Sequence, residues 1–140
     1  SVVHQAYQVA YQGHPVRLFK SHNVDYDDGG QMRDFVYVDD CIDIIMWLID
    51  HPDISGLFNV GTGCARSFYD LTAAVFSALG REVQIEYIDM PEDVRTKYKY
   101  FTEAQTDRLR SAGYNRPFTN LERGIAEYIN AYLLTSDPYR

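Results

Sequence analysis

Arg33 stands directly before Asp34-Phe35-Val36-Tyr37-Val38, a run whose β-branched and aromatic content reads as a buried strand. A guanidinium at the start of such a strand reaches a strand end, where ligands gather in α/β sheets. Its planar fork grips phosphate or pyrophosphate through two parallel hydrogen bonds. A salt bridge to the acidic stretch Asp25-Tyr26-Asp27-Asp28 would use the same group structurally, and side-chain chemistry alone leaves both uses open. A second cluster, Arg95-Thr96-Lys97-Tyr98-Lys99-Tyr100-Phe101, sets cations among rings. Charges for phosphate beside rings for base or sugar suit a nucleoside diphosphate, and a solvated loop with snorkelling cationic stems fits the same residues. Gly61-Thr62-Gly63 follows the apolar run Leu57-Phe58-Asn59-Val60, the setting in which a glycine turn can approach a phosphate. The dinucleotide fingerprint needs a further glycine where Arg66 stands, so the turn reads as a tight strand-to-helix connection that touches no phosphate.

None of the 12 tyrosines is followed four positions on by lysine, the spacing that lowers a phenol's pKa for base catalysis. His4, His14, His22 and His51 show no metal-ligand spacing, and no Ser-centred nucleophile elbow occurs. Each histidine reads as a surface or capping group, with His4 and His22 the two to follow. The acidic patch from Asp25 to Gly30 lacks the spacing of a calcium loop and reads as a solvated turn. No complete active site is encoded in these residues.

The elements that must position these groups follow from periodicity and caps. Val2, Val3, Ala6, Val9 and Ala10 recur at helical spacing, and Gly13 and Pro15 end the run. A strand over 16–20 follows. After the acidic loop come a strand over 33–38 and a helix capped by Asp39 or Asp40 that runs to about Asp50, with Ile42, Ile45, Met46 and Ile49 on one face. A strand over 57–60 leads into the glycine turn, Ser67 caps a helix to Leu79, and a strand covers 83–88. Thr102-Glu103-Ala104-Gln105 and Thr119-Asn120-Leu121-Glu122 both have the capping-box form. They open helices to about Ala112 and Leu134. Strands alternating with helices define an α/β fold. With only four short strands, unpaired edges imply neighbours on a segment outside this chain.

The 140 residues fit one domain, and 46% apolar residues with 12 Tyr, 7 Phe and 1 Trp supply one core, which excludes general disorder. A net charge of −7 argues against nucleic-acid or anionic-membrane partners, both of which need positive surface. The longest apolar stretch, Cys41 to Ile49, is broken by Asp43 and falls far short of a membrane span of ~20 residues. Cys41 and Cys64 lack CxxC spacing, which suits a reducing, cytoplasmic compartment. The chain opens on Ser1-Val2-Val3-His4 with no Met and no charged-then-apolar leader, so it reads as a piece of a longer chain without a signal peptide.

Four ordered motifs carry a family resemblance: Arg33-Asp34-Phe35-Val36-Tyr37-Val38-Asp39-Asp40; Phe58-Asn59-Val60-Gly61-Thr62-Gly63; Lys97-Tyr98-x-x-Phe101-Thr102-x-Ala104; and Leu109-Arg110-x-Ala112-Gly113-Tyr114-x-x-Pro117-Phe118. Together they resemble the C-terminal half of extended short-chain dehydrogenase/reductases of the NAD-dependent epimerase/dehydratase family. The last two narrow the resemblance to the ADP-heptose 6-epimerases of lipopolysaccharide core synthesis. The resemblance implies that residues 1–140 form a small substrate-binding C-terminal region. It also implies that about 34–63 pack on an N-terminal Rossmann domain missing from this chain, which would hold NADP and supply the catalytic Tyr and Lys. The chain alone is then expected to be inactive, while the complete protein, expected to be a homo-oligomer, inverts C6″ of ADP-heptose by oxidation and re-reduction.

Residue by residue, Arg33 matches an arginine that binds substrate diphosphate and Tyr98 a substrate-contacting tyrosine. Phe19, Lys20, Ser21 and His22 fall where the family has a Phe-Glu-Gly-Ser-like substrate loop. His4 or Gln5 lies near a family histidine on the first helix. Lys20 and His22 depart from the usual loop, Gln105 stands where Asp is common, and the stretch Asp25 to Gln31 varies in length among relatives. The rivals are another nucleotide-sugar 4-epimerase or 4,6-dehydratase and, from a different class, a stand-alone nucleotide-diphosphate-binding module.

Overall fold

The computed structural model describes residues 1–135, so the last five residues of the expected 1–140 region lie outside the described residues. The first helix, α1 (Val2–Tyr11), buries Ala6, Tyr7 and Ala10. It stops where the sequence places the break: Gly13 adopts φ +82° and the His14 N–H donates to the Val9 carbonyl. Strand β1 (Val16–Phe19) then pairs in parallel with β4 (Ile85–Ile88), from Val16 opposite Ile85 to Phe19 opposite Ile88. A second sheet has the order β3-β2-β5, with β2 (Met32–Arg33) between β3 (Arg66–Ser67), antiparallel, and β5 (Phe101–Thr102), parallel.

The main core sits between α1, β1, α3 (Phe68–Ala78) and α6 (Leu121–Tyr128), with Leu71, Val75, Phe76 and Ile125 closed off from solvent. Each such side chain contributes ~1.5–3 kcal/mol by leaving water. Ser67 caps α3 as expected: its Oγ accepts from the Asp70 N–H at 2.9 Å, and Asp70 accepts from the Ser67 N–H at 3.2 Å. A smaller core joins Ile44 of α2 (Val38–Asp50) to Leu109 of α5 (Asp107–Ser111) and to Tyr114, with Trp47, Leu48, Phe58 and Phe118 around it.

Several expectations are corrected. The strand expected over 33–38 is reduced to Met32–Arg33; residues 34–37 belong to no ladder, and Phe35 packs edge-on against Phe68 at 5.5 Å. No strand forms over 57–60, where Leu57 stays 79% exposed. Helix α2 starts at Val38 after Tyr37, not from an Asp39 or Asp40 cap, because the buried Asp40 carboxylate instead accepts from the N–H and hydroxyl of Thr119, both at 2.9 Å. That contact removes Thr119 from its own expected box, so Asn120 caps α6 by accepting from the Arg123 N–H. Glu122 is drawn to Arg66 instead, at 2.6 Å. Thr102 lies in β5, and α5 begins only at Asp107, without a side-chain cap. The strands expected over 16–20 and 83–88 shorten to β1 and β4, and the last helix passes at Ile129–Leu133 into a π-helical turn.

Candidate functional site

A cavity of about 390 Å³ lies between α1, β1 and α3, with Gln5, Phe19, Gln31, Phe68, Thr72 and Tyr98 on its walls. β1 carries Phe19 to one side, where its ring meets Tyr98 edge-on at 6.3 Å. β2 ends at Arg33, whose guanidinium lies 5.2 Å from the Tyr98 ring centre and 5.8 Å from that of Phe68. Each such contact holds the cation by about 0.5–1 kcal/mol where solvent is near. Its Nη1–H donates to the Met32 carbonyl at 2.7 Å, and no carboxylate of the described residues pairs with it. The salt bridge to the acidic loop is therefore not the use made of Arg33. Burial pushes the Tyr98 phenol above its ordinary value; Arg33 pulls it down and Tyr100 adds to the rise. The phenol thus stays a hydrogen-bond donor at neutral pH.

The remaining sequence candidates fall in different places. Lys20, Ser21 and His22 open the loop after β1. Lys20 lies 3.5 Å from Asp89 in an exposed pair, Ser21 Oγ donates to the Asn23 carbonyl at 2.7 Å, and the His22 N–H donates to Tyr100 Oη at 2.8 Å. Gln5 lines the cavity from α1, whereas His4, half-buried on the same helix, does not. Of the 95–101 cluster, Arg95 closes α4 (Glu92–Arg95) and donates to the Met90 carbonyl, while Lys97 and Lys99 point their charges to solvent.

The glycine turn holds an anion, and that anion is Asp34. Its Oδ1 accepts from the Thr62 N–H at 2.8 Å and the Thr62 hydroxyl at 2.6 Å, and its Oδ2 from the N–H groups of Gly63 at 2.9 Å and Ala104 at 3.1 Å. Burial pushes this carboxyl up, but the four hydrogen bonds outweigh it and hold it below the usual carboxylate range. Position 61 must be glycine, since a Cβ there would lie 2.5 Å from Ala104 Cβ and 2.6 Å from Asp34 Oδ2. With its N–H groups on a carboxylate, the turn does not fit the pyrophosphate of a nicotinamide dinucleotide. Sequence reasoning missed Asp34; the available signal was an acidic residue beside Arg33, with a Gly-Thr-Gly turn unassigned to any phosphate.

Arg33 thus ends a strand of an α/β unit against two of the rings that wall the cavity, and strand ends are where ligands gather in such sheets. Residues 1–61 match the family model described as the NAD dependent epimerase/dehydratase family. The chain is 53% identical over 139 residues to an ADP-L-glycero-D-manno-heptose-6-epimerase of Nitratidesulfovibrio vulgaris, a match covering 99% of this chain and 43% of the relative. The chain thus spans less than half the length of the curated relatives it matches. Among solved structures, the Helicobacter pylori ADP-L-glycero-D-manno-heptose-6-epimerase superposes with a TM-score of 0.71 at 27% identity, covering 93% of this chain and 36% of that one. The Thermus thermophilus UDP-glucose 4-epimerase, solved with NAD, gives 0.71 at 25% identity over 89% and 37%. The fold is that of the extended epimerase structures, matched over part of their length.

Proposed function

We propose that this chain is the ADP-heptose-binding part of a nucleotide-sugar epimerase that inverts C6″ of ADP-D-glycero-D-manno-heptose by oxidation and re-reduction, in lipopolysaccharide core synthesis in the cytoplasm. NADP and the catalytic Tyr/Lys pair belong to a half outside these residues. The observation that carries this reading is Arg33: a guanidinium held against Tyr98 and Phe68, two rings of the cavity wall, with no carboxylate of the described residues to satisfy it. A substrate diphosphate is the bidentate acceptor that its fork suits. Phe19 and Gln5 on the cavity walls support the same reading, and Ser21 and His22, on the loop that follows β1, are proposed to contact the same substrate.

The 34–63 segment supports a covering half. Val36, Val38, Ile42, Ile45, Met46, Ile49, Leu57 and Val60 are all exposed apolar residues, a concentration on one segment that a finished surface does not carry. The smaller cavity, of about 290 Å³, between Phe35, Tyr37 and α6 opens beside this segment and is walled mostly by apolar groups.

The test uses the complete epimerase. Arg33→Lys keeps the charge and loses the fork, and is expected to lower kcat/KM by roughly tenfold to a hundredfold, as for ~1.5–3 kcal/mol of charge-assisted hydrogen bonding. Tyr98→Phe loses one hydroxyl and is expected to lower it by at most about tenfold. NADP affinity should be unchanged in both. An intact kcat/KM in Arg33→Lys, or weakened NADP in place of weakened ADP-sugar, overturns the diphosphate role.

A further inference from the structure

Tyr100 joins two parts of the site, the 21–28 loop and the Arg33–Tyr98 pair, through its hydroxyl and its ring. Its Oη accepts the His22 N–H at 2.8 Å across 78 positions of sequence. Its ring meets Tyr26 of the same loop at 5.2 Å and Tyr98 at 5.4 Å, the latter edge-on. Its own carbonyl accepts the Met32 N–H at 2.7 Å, which fixes the residue beside the strand that ends in Arg33. The other hydrogen bonds of 21–28 stay local: Ser21 N–H to Asp28, Ser21 Oγ with Asn23, Asp25 N–H to Asn23, Tyr26 N–H to the Asn23 carbonyl, and Gly30 N–H to the Asp27 carbonyl. Such bonds shape the loop without saying where it sits relative to Arg33 and Tyr98.

We infer that Tyr100 is a positioning residue for substrate binding, latching the 21–28 loop to the Arg33–Tyr98 pair so that Ser21 and His22 are presented to the bound nucleotide sugar. The inference rests on the diphosphate role of Arg33 proposed above. The hydroxyl sets the loop's height through one backbone hydrogen bond, and the ring fills the space between Tyr26 and Tyr98. The two contributions separate by substitution, because Tyr100→Phe removes the acceptor alone and Tyr100→Ala removes acceptor and ring. The exposed His22 N–H can turn to water once the acceptor is gone, so global stability is not expected to follow the hydroxyl.

In the complete epimerase, Tyr100→Phe is expected to raise KM for ADP-heptose, and Kd for ADP by calorimetry, by roughly threefold to tenfold. kcat should stay within about twofold and the thermal midpoint should not move, since only ground-state positioning is lost. Tyr100→Ala and, independently, Tyr26→Leu should weaken ADP as well, which keeps the idea testable if the alanine variant fails to fold. Unchanged KM and unchanged ADP affinity in Tyr100→Phe and Tyr26→Leu overturn the latch. A fall in kcat with KM intact also overturns it. Arg33→Lys, run alongside, separates the two ideas: if it weakens ADP while the Tyr100 and Tyr26 variants do not, only the latch fails. If Arg33→Lys also leaves ADP affinity intact, the diphosphate role fails with it.

Discussion

Replacing Asp34 by asparagine tests whether a carboxylate, not a phosphate, organises the glycine turn. Each oxygen of Asp34 faces two donors, so all four contacts point at lone pairs. An amide offers one such oxygen, and whichever way it is placed its NH2 confronts a pair of donors. With the amide oxygen toward Gly63 and Ala104, the Thr62 hydroxyl can still donate to the Cys64 carbonyl at 3.2 Å, but the Thr62 N–H is stranded. Hydrogen bonds to charged groups are worth ~1.5–3 kcal/mol each, and the site is only half-buried, so the loss expected for Asp34→Asn is about 2–4 kcal/mol at neutral pH.

The pH dependence gives a sharper signature. The folded-state pKa is lowered, so the carboxylate's contribution is fully present above the unfolded value of ~3.9 and disappears as pH falls through the folded value. Urea unfolding of wild type and Asp34→Asn from pH 7 to pH 3 should show a gap that is constant down to about pH 4.5 and then narrows, because protonated Asp34 resembles the amide. A cost under about 0.5 kcal/mol, or a gap of the same size at both ends of the range, refutes the claim that charge on Asp34 holds the turn.

The face of α2 formed by Ile42, Ile45, Met46 and Ile49, each at least 50% exposed, should make this chain on its own self-associate. Ile45→Lys with Ile49→Lys should lower the mass seen by light scattering without lowering stability, and a wild-type monomer at high concentration contradicts this. Ser67→Ala removes the acceptor for the Asp70 N–H in the α3 cap and should cost ~1 kcal/mol by urea unfolding; a cost near zero would mean that the Arg66–Asp70–Glu122 charge cluster alone holds that helix end.

What could be read without coordinates is what depends on near neighbours. The apolar spacing of 2–11 with Gly13 after it is a property of one helical segment, so α1 ends as its own residues dictate. Ser67 finds its partner three positions on and caps α3 as its sequence implies. Local signals failed where a distant group competes for the same side chain. Asp40 was free to cap its own helix, but Thr119 offers two donors in a buried place, and the Glu122 carboxylate pairs with Arg66 at 2.6 Å. The apolar runs 34–38 and 57–60 carry strand composition, yet a strand exists only where a neighbour supplies a ladder, and among the described residues 34–37 and 57–60 have none. Arg33 is legible singly as a group suited to a diphosphate, and Tyr98 as a ring of the 95–101 cluster and, through its family motif, as a substrate-contacting tyrosine. That they face each other at 5.2 Å depends on β5 pairing in parallel with β2, which brings the 97–102 segment beside residues almost seventy positions earlier. The filling of the Gly61-Thr62-Gly63 turn by Asp34 follows from the same pairing: β2 and β5 bring Asp34 and Ala104 side by side against the turn, and a carboxylate there satisfies donors that would otherwise be left to water.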